Sequence, residues 1–292
     1  MKTLKSVIFL ISIFIYSNTS GQSIEVVLTP SASGADSIGT AAIECRYEYS
    51  WLKDTTARMS ETGELVSGDS TDVVRGMIIL QCGGGVSKFY SYDKFYIDSL
   101  YFSDINKYKG IDKLSKVKNT FTVYKNFPEA GKMTLTDAVG ADNYMVVEDI
   151  PDFGWVVCDE WKEIAGYRAC KATCTFRGRD YVAWFAPELP LTEGPWKFSG
   201  LPGLIMEVRD AANQYRYELK GIVLKDATVY MLDLNYLKTD LEKYLRVLRR
   251  YNENPMQFLF DIDMGMIQQV VVSKSDGPSG EFKIMYDFPE II

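Results

Sequence analysis

The chain contains no histidine. That absence excludes Ser-His-Asp and Cys-His nucleophile systems, zinc sites that need imidazole, and histidine acid–base catalysis. Cysteine is sparse. Cys45, Cys82, Cys158, Cys170 and Cys174 form no C-x-x-C pair and no paired metal-binding spacing. A phosphate loop is lacking too: Gly83-Gly84-Gly85 sits between two strand-like segments, which suits a bulge or tight hairpin, and no Lys-Ser/Thr follows. Positive charge is in deficit. The net charge of −7 removes any global attraction to nucleic acid or anionic membranes.

Aromatic residues make up 13% of the chain, with 19 Tyr and 15 Phe, and this richness favours strands. The 47% hydrophobic content and the length of 292 residues are those of a globular protein able to bury a sizeable core.

Residues 1–21 read as an export signal. Lys2 and Lys5 precede the apolar run Val7–Tyr16, and small polar residues lead to a cut after Gly21. The run is shorter than the roughly 20 residues that span a bilayer, and no later segment is a membrane span. The expectation is a protein secreted through the Sec route to the periplasm or cell surface. Residues 22–292 then form a single β-rich domain, expected to be monomeric and to take no nucleic-acid partner. Losing two lysines and no acid moves its net charge to −9.

Five cysteines leave at least one unpaired, and Cys158 with Cys170 is the candidate disulfide, on adjacent strands of one hairpin. Cys170 and Cys174 share a strand face but lie roughly 13 Å apart.

The body alternates as antiparallel strands. Ile43, Cys45, Tyr47, Tyr49 and Trp51 form a dry face against Glu44, Arg46, Glu48 and Ser50. Further strands are expected at 24–28, 77–81, 89–92, 121–124 and 144–148, and 54–72 reads as a loop. A meander is expected from Trp155 to Leu224, with turns at 163–166, 177–180 and 210–213. A terminal hairpin is expected over 268–286.

Helical spacing appears twice. Ile105, Tyr108, Leu114 and Val117 can share a stripe within 103–119, and Leu241, Tyr244, Leu245, Leu248 and Tyr251 form a second. Thr239 and Glu242 predict a capping box for the latter, and Pro255 its end. The expected fold is mainly β: an antiparallel open half-barrel, or β-meander, with one or two covering helices.

No catalytic constellation emerges. Ser115 and Lys118 match S-x-x-K without companion motifs. Asp159, Glu160, Glu188, Glu193, Asp261 and Asp263 show no spacing beyond that of a solvated strand face. No metal and no cofactor are expected, and the chain is read as not an enzyme.

The segment 184–205 concentrates backbone specialists: Gly194, Pro195, Gly200, Pro202 and Gly203, beside Trp184, Trp196 and Phe198. Leu201-Pro202-Gly203 suits a type II turn, and Gly200 a close backbone approach. Either a structural corner or a ligand-lining lip would use these residues. Gly200, Leu201, Pro202, Gly203, Leu204 and Ile205 spell GLPGLI, and the chain resembles the GLPGLI family, secreted proteins typical of Bacteroidetes. Gly166-Tyr167, Cys170-Lys171-Ala172, Phe176-Arg177-Gly178-Arg179, Ala183-Trp184 and Gly194-Pro195-Trp196 extend the resemblance over about residues 75–255. It brings no catalytic residues and implies an envelope role near outer-membrane receptor systems. A weaker similarity is to lipoprotein-carrier-like open β-barrels.

Three functions follow as expectations. A carrier or binding protein for a hydrophobic ligand (lipid, lipopeptide or peptide) predicts an apolar pocket. An interaction module docking on an outer-membrane receptor or surface complex predicts a filled interior and an exposed patch or strand edge. A histidine-free enzyme predicts convergent carboxylates with raised pKa values in a cleft.

Overall fold

The computed structural model describes residues 35–52, 58–60, 64–68, 73–96, 120–140, 142–254 and 258, with two short strands near the N-terminus. Those two, β1 (Ile11–Ile13) and β2 (Val26–Leu28), pair with each other. The sheet that builds the molecule begins with β3 (Ala35–Leu52). A small ribbon of β4 (Arg58–Met59) and β5 (Leu65–Ser67) follows. Part of the segment expected as a loop is therefore strand-paired.

Next come β6 (Val73–Gly84), β7 (Val86–Ser91), β8 (Thr122–Lys125), β9 (Lys132–Val139) and β10 (Asp142–Asp149). The second half contains β11 (Val156–Ile164), β12 (Tyr167–Phe176), β13 (Arg179–Ala186), β14 (Leu204–Asp210), β15 (Tyr215–Leu232) and β16 (Tyr236–Thr239). Helix α1 (Leu241–Glu253) follows β16, and residues 92–96 are also helical.

Twelve strands form one open sheet in the order β11-β12-β13-β14-β15-β3-β6-β7-β8-β9-β10-β16. All neighbours are antiparallel except β10 and β16. The mainly-β open sheet agrees with the sequence expectation. Its two meanders are joined by β15 against β3, with Tyr217 opposite Tyr49 and Leu219 opposite Tyr47.

Local chemistry explains the hairpins. Ala165 and Gly166 both adopt positive φ (51° and 82°), as do Arg177 and Gly178 (49° and 77°). Two consecutive left-handed residues make the turn whose twist matches that of antiparallel strands. In the β6–β7 hairpin Gly83 and Gly85 take φ of 91° and 92°, and the register shifts between Gln81 and Gly84. A Cβ on Gly84 would lie 1.9 Å from the Thr40 carbonyl oxygen. The glycine triplet thus serves strand geometry.

The strand alternation expected for 43–51 is present. Cys45, Tyr47 and Tyr49 are buried on the face that also carries Ile78, Leu80, Phe89, Val123, Met133 and Leu135. This face is concave. Arg177, at the β12–β13 turn, reaches Glu148 on β10 at 3.3 Å, although those strands lie near opposite ends of the sheet order.

Helix α1 covers part of the same face, over β9 and β10. Tyr244 and Leu248 are buried there, and the Tyr244 hydroxyl donates to Asp137 Oδ2 at 2.8 Å. The cap differs from the expected box. Asp240 is the N-cap, extended at φ −85° and ψ 161°, and its Oδ1 accepts from the Lys243 amide at 2.8 Å. Thr239 cannot cap because it ends β16, and Glu242 pairs with Arg246 one turn on. Asparagine 254 (Asn254) ends the helix before Pro255.

The helix expected over 103–119, Ser115, Lys118, Asp261, Asp263 and the hairpin expected over 268–286 lie outside the described residues. The leader expected over 1–21 is described only at Ile11–Ile13.

Candidate functional site

The segment from Pro187 to Gly203 leaves β13 and returns to β14 through the concave side of the sheet. It holds its own shape first. Leu191 N donates to Leu189 O at 2.7 Å, and Gly203 N to Leu201 O at 2.8 Å. Each bond closes a three-residue turn centred on a proline, Pro190 and Pro202, whose fixed φ suits that turn. A short bridge pairs Glu193 with Ser199.

The expected type II turn at Leu201-Pro202-Gly203 is therefore corrected to this tighter turn. The two glycines exchange the roles expected of them. Gly200 carries the positive φ of 91°, and a Cβ there would meet nothing within 4 Å. Gly203 makes the close approach, since its Cβ would fall 2.3 Å from the Ala186 carbonyl oxygen. Gly194 leaves room for Ile205, whose side chain would lie 2.7 Å from a Cβ.

The loop is a plug. Trp196, Phe198, Leu201, Leu204 and Ile205 are buried, and Trp196 sits at an unusual φ of 51°. Phe198 packs against Phe153, Tyr181 and Trp196, with ring centroids 5.2, 5.0 and 5.1 Å away. The expected residues Gly194, Pro195, Trp196, Phe198, Gly200, Leu201, Pro202, Gly203, Leu204 and Ile205 are thus brought together by one corner of the core.

Polar anchors tie the plug to distant strands. The Lys125 ammonium on β8 donates to Glu193 Oε2 at 3.0 Å, to the Gly194 carbonyl at 3.0 Å and to the Phe198 carbonyl at 2.7 Å. Three donors meet three acceptors, which is what a buried ammonium requires. Ser87 on β7 adds a bond to Glu193 Oε2 at 3.1 Å. The Tyr47 hydroxyl donates to the Ile205 carbonyl at 2.7 Å, and Trp155 Nε1 to the Ser199 carbonyl at 2.9 Å. Lys197, fully buried, pairs with Glu148.

Trp184 lies elsewhere. It pairs with Glu207 across β13 and β14, and the Lys162 ammonium stands 4.4 Å over its ring while reaching Glu207 Oε2 at 2.7 Å. Cys158 and Cys170 are neighbours with free thiols; Cys170 Sγ contacts the Cys158 carbonyl at 3.3 Å.

The other candidate carboxylates disperse. Asp159 accepts from Trp161 Nε1, Glu160 pairs with Lys171, and Glu193 belongs to the plug. Glu188 lines an open cleft of about 370 Å³ with Trp161, Lys162, Glu163, Gly166 and Arg168. Arg168 stacks 4.4 Å from the Trp161 ring. Asp137 is raised above the ordinary aspartate value by burial, against the lowering effect of bonds from Thr120, Tyr244 and the Ala138 amide. It faces the helix and not the cleft. Among the described residues no three His, Cys, Asp or Glu side chains gather as a metal site.

The cleft adjoins the sheet edge. Strand β11 has one ladder neighbour, β12, so its other side is unpaired within the described sheet. Val156, Val157 and Trp161 are 64%, 53% and 42% exposed along it. The sequence offered little warning of Lys125, which reads there as the polar end of a strand. Its burial follows from a pairing to Glu193 that only the folded chain creates.

An open β half-barrel plugged by its own proline- and glycine-rich loop is the class this architecture defines. A family model described as "Protein of unknown function (Porph_ging)" matches residues 177–207, which span β13, the plug and the start of β14. This is the GLPGLI-type family of Bacteroidetes, matched here over a short segment. No curated protein matches the chain. Two crystal forms of PNGF-II, in space groups C2 and P21, resemble it with TM-scores of 0.47 and 0.48 at 13% identity. The resemblance covers 73% of this chain and 33% and 34% of those chains, so the chain spans about a third of their length. Among the described residues no helix is long and apolar enough to cross a membrane.

Proposed function

We propose that the chain is a non-enzymatic interaction module of the cell envelope, reached through the Sec signal at 1–21. It docks an extended segment of a partner protein along β11. The observation that carries this reading is the filled concave face. Trp196, Phe198 and Leu201 occupy the place where a carrier would hold its ligand. That filling supports docking over carriage of a lipid or other hydrophobic molecule.

The β11 edge supplies what an added strand uses: unpaired backbone groups for the ladder and side chains for selection. Val156 and Val157 offer apolar contact, and the cleft beside Trp161 and Arg168 offers a pocket at the hairpin end. The GLPGLI resemblance, with its link to outer-membrane receptor systems, supports a protein partner at the envelope.

The test places a photocrosslinking residue at Val157 and, as a control, at Lys243 on the exposed side of α1. Native mass spectrometry of the purified chain, with organic extraction, runs beside it. The expected result is one defined crosslinked protein at Val157, lost when Val156→Pro is added, with a bare native mass. Equal crosslinking at both positions would refute the docking edge. A stoichiometric hydrophobic adduct would restore the carrier.

A further inference from the structure

Two of the five cysteines meet in the centre of the sheet. Cys45 lies opposite Leu80 and Cys82 opposite Ile43, so the two are diagonal neighbours on one face of β3 and β6. Both are fully buried under the plug. Diagonal neighbours stand at the outer reach of a disulfide by position alone. Both thiols are free in the structure, and their side chains leave the same buried face of the two strands, where each is close enough to influence the other.

We infer that Cys45 and Cys82 are a disulfide site, oxidised as the chain folds. No metal function competes for the pair, since no third ligand gathers beside it among the described residues. The native thiols are inert. The hydrogen bond with Cys82, followed by burial, pushes the Cys45 thiol well above the ordinary thiol range. Exchange therefore belongs to the stage before the plug seals the face.

The step balances with a small-molecule disulfide as oxidant. One cysteine thiolate attacks it, forming a mixed disulfide and releasing one thiol. The second cysteine displaces the other half, releasing a second thiol and closing the protein S–S bond. Two protein thiols are oxidised and one disulfide is reduced to two thiols. The bond would clamp the two central strands beneath the loop.

The test refolds the full chain from denaturant in a glutathione disulfide buffer, then alkylates and digests it without reduction. The expected product joins the peptide ending at Arg46 to the peptide spanning Gly76 to Lys88. The oxidised chain should melt roughly 10 °C above the reduced one, and Cys45→Ala/Cys82→Ala should abolish that difference. Alkylation of both thiols in refolded protein with native circular dichroism would overturn the inference, as would bonding of either cysteine to a different one. The site also suits the oxidising compartment in the proposed function, but this test does not depend on it. A bond formed in vitro and absent from chain recovered after export would count against the envelope location and leave the pairing standing.

Discussion

Replacing Lys125 by methionine is the sharpest test of the plug. The substitution keeps an unbranched chain of similar length and removes the charge. Lys125 is 1% exposed and its partner Glu193 15%, so solvent cannot take over the pairing. Removal strands the Glu193 carboxylate and two carbonyl oxygens, those of Gly194 and Phe198. Breaking a buried ion pair from one side costs about 3–5 kcal/mol, whereas an exposed pair is worth about 0.2–1 kcal/mol. The expected loss for Lys125→Met is therefore about 3–5 kcal/mol in urea unfolding, or a fall in Tm of roughly 10 °C or more.

A double-mutant cycle separates the charge from the packing. Adding Glu193→Gln removes the stranded carboxylate and should recover about 1–2 kcal/mol of that loss. Hydrogen exchange locates the effect. The Gly200 amide, bonded to Thr192 O, and the Leu204 amide, bonded to Leu189 O, should exchange faster in Lys125→Met while the β9–β10 ladder holds. A loss under about 1 kcal/mol would place Lys125 among ordinary surface lysines and refute the reasoning.

Two further predictions follow from the same region and from the helix. Gly203→Ala drives a methyl into the Ala186 carbonyl and should cost about 3 kcal/mol or more, while Gly200→Ala meets open space and pays only for its left-handed backbone, about 1–2 kcal/mol. Equal losses in urea unfolding would contradict the assignment of roles. Asp137 has its native pKa raised by burial, so the folded state binds its proton more tightly and this group's contribution weakens as pH rises through the interval above the ordinary aspartate value. Asp137→Asn should thus gain stability relative to the parent as pH rises above the ordinary aspartate value, read by urea unfolding across a pH series, and a difference flat with pH would count against the buried charge.

Much of the sheet is legible in the sequence because antiparallel strands alternate. Residues 43–51 announce a wet and a dry face, and Ala165-Gly166 and Arg177-Gly178 mark two hairpins through their turn chemistry. The glycine triplet at 83–85 reads correctly as strand punctuation. The gaps have physical causes. Strand β9 is hidden in the sequence because Thr134, Thr136 and Asp137 read as polar, yet both its faces are covered, one by the concave core and α1. β15 runs on to Leu232 past Lys225 and Asp226 because β3 is there to pair with it. The plug's residues stand out in the sequence as a group, but proline and glycine composition says only that backbone geometry is constrained. The division of labour between Gly200 and Gly203, and the partnership of Lys125 with Glu193, depend on segments that meet only on folding.

The union of β3 with β15 also sets the order in which this molecule can be made. Tyr47 and the Ile205 carbonyl it holds are 158 residues apart in the chain. During synthesis from the N-terminus, β3 and the β6–β10 meander emerge long before the segment that fills their hollow. Until then Tyr47, Leu80, Phe89 and Val123 line an empty trough with two raw edges, β3 awaiting β15 and β10 awaiting β16. A topology dominated by such distant pairings folds slowly, and its half-made form is sticky. The loop's arrival is therefore the step that covers the apolar surface and ends the chain's exposure to aggregation.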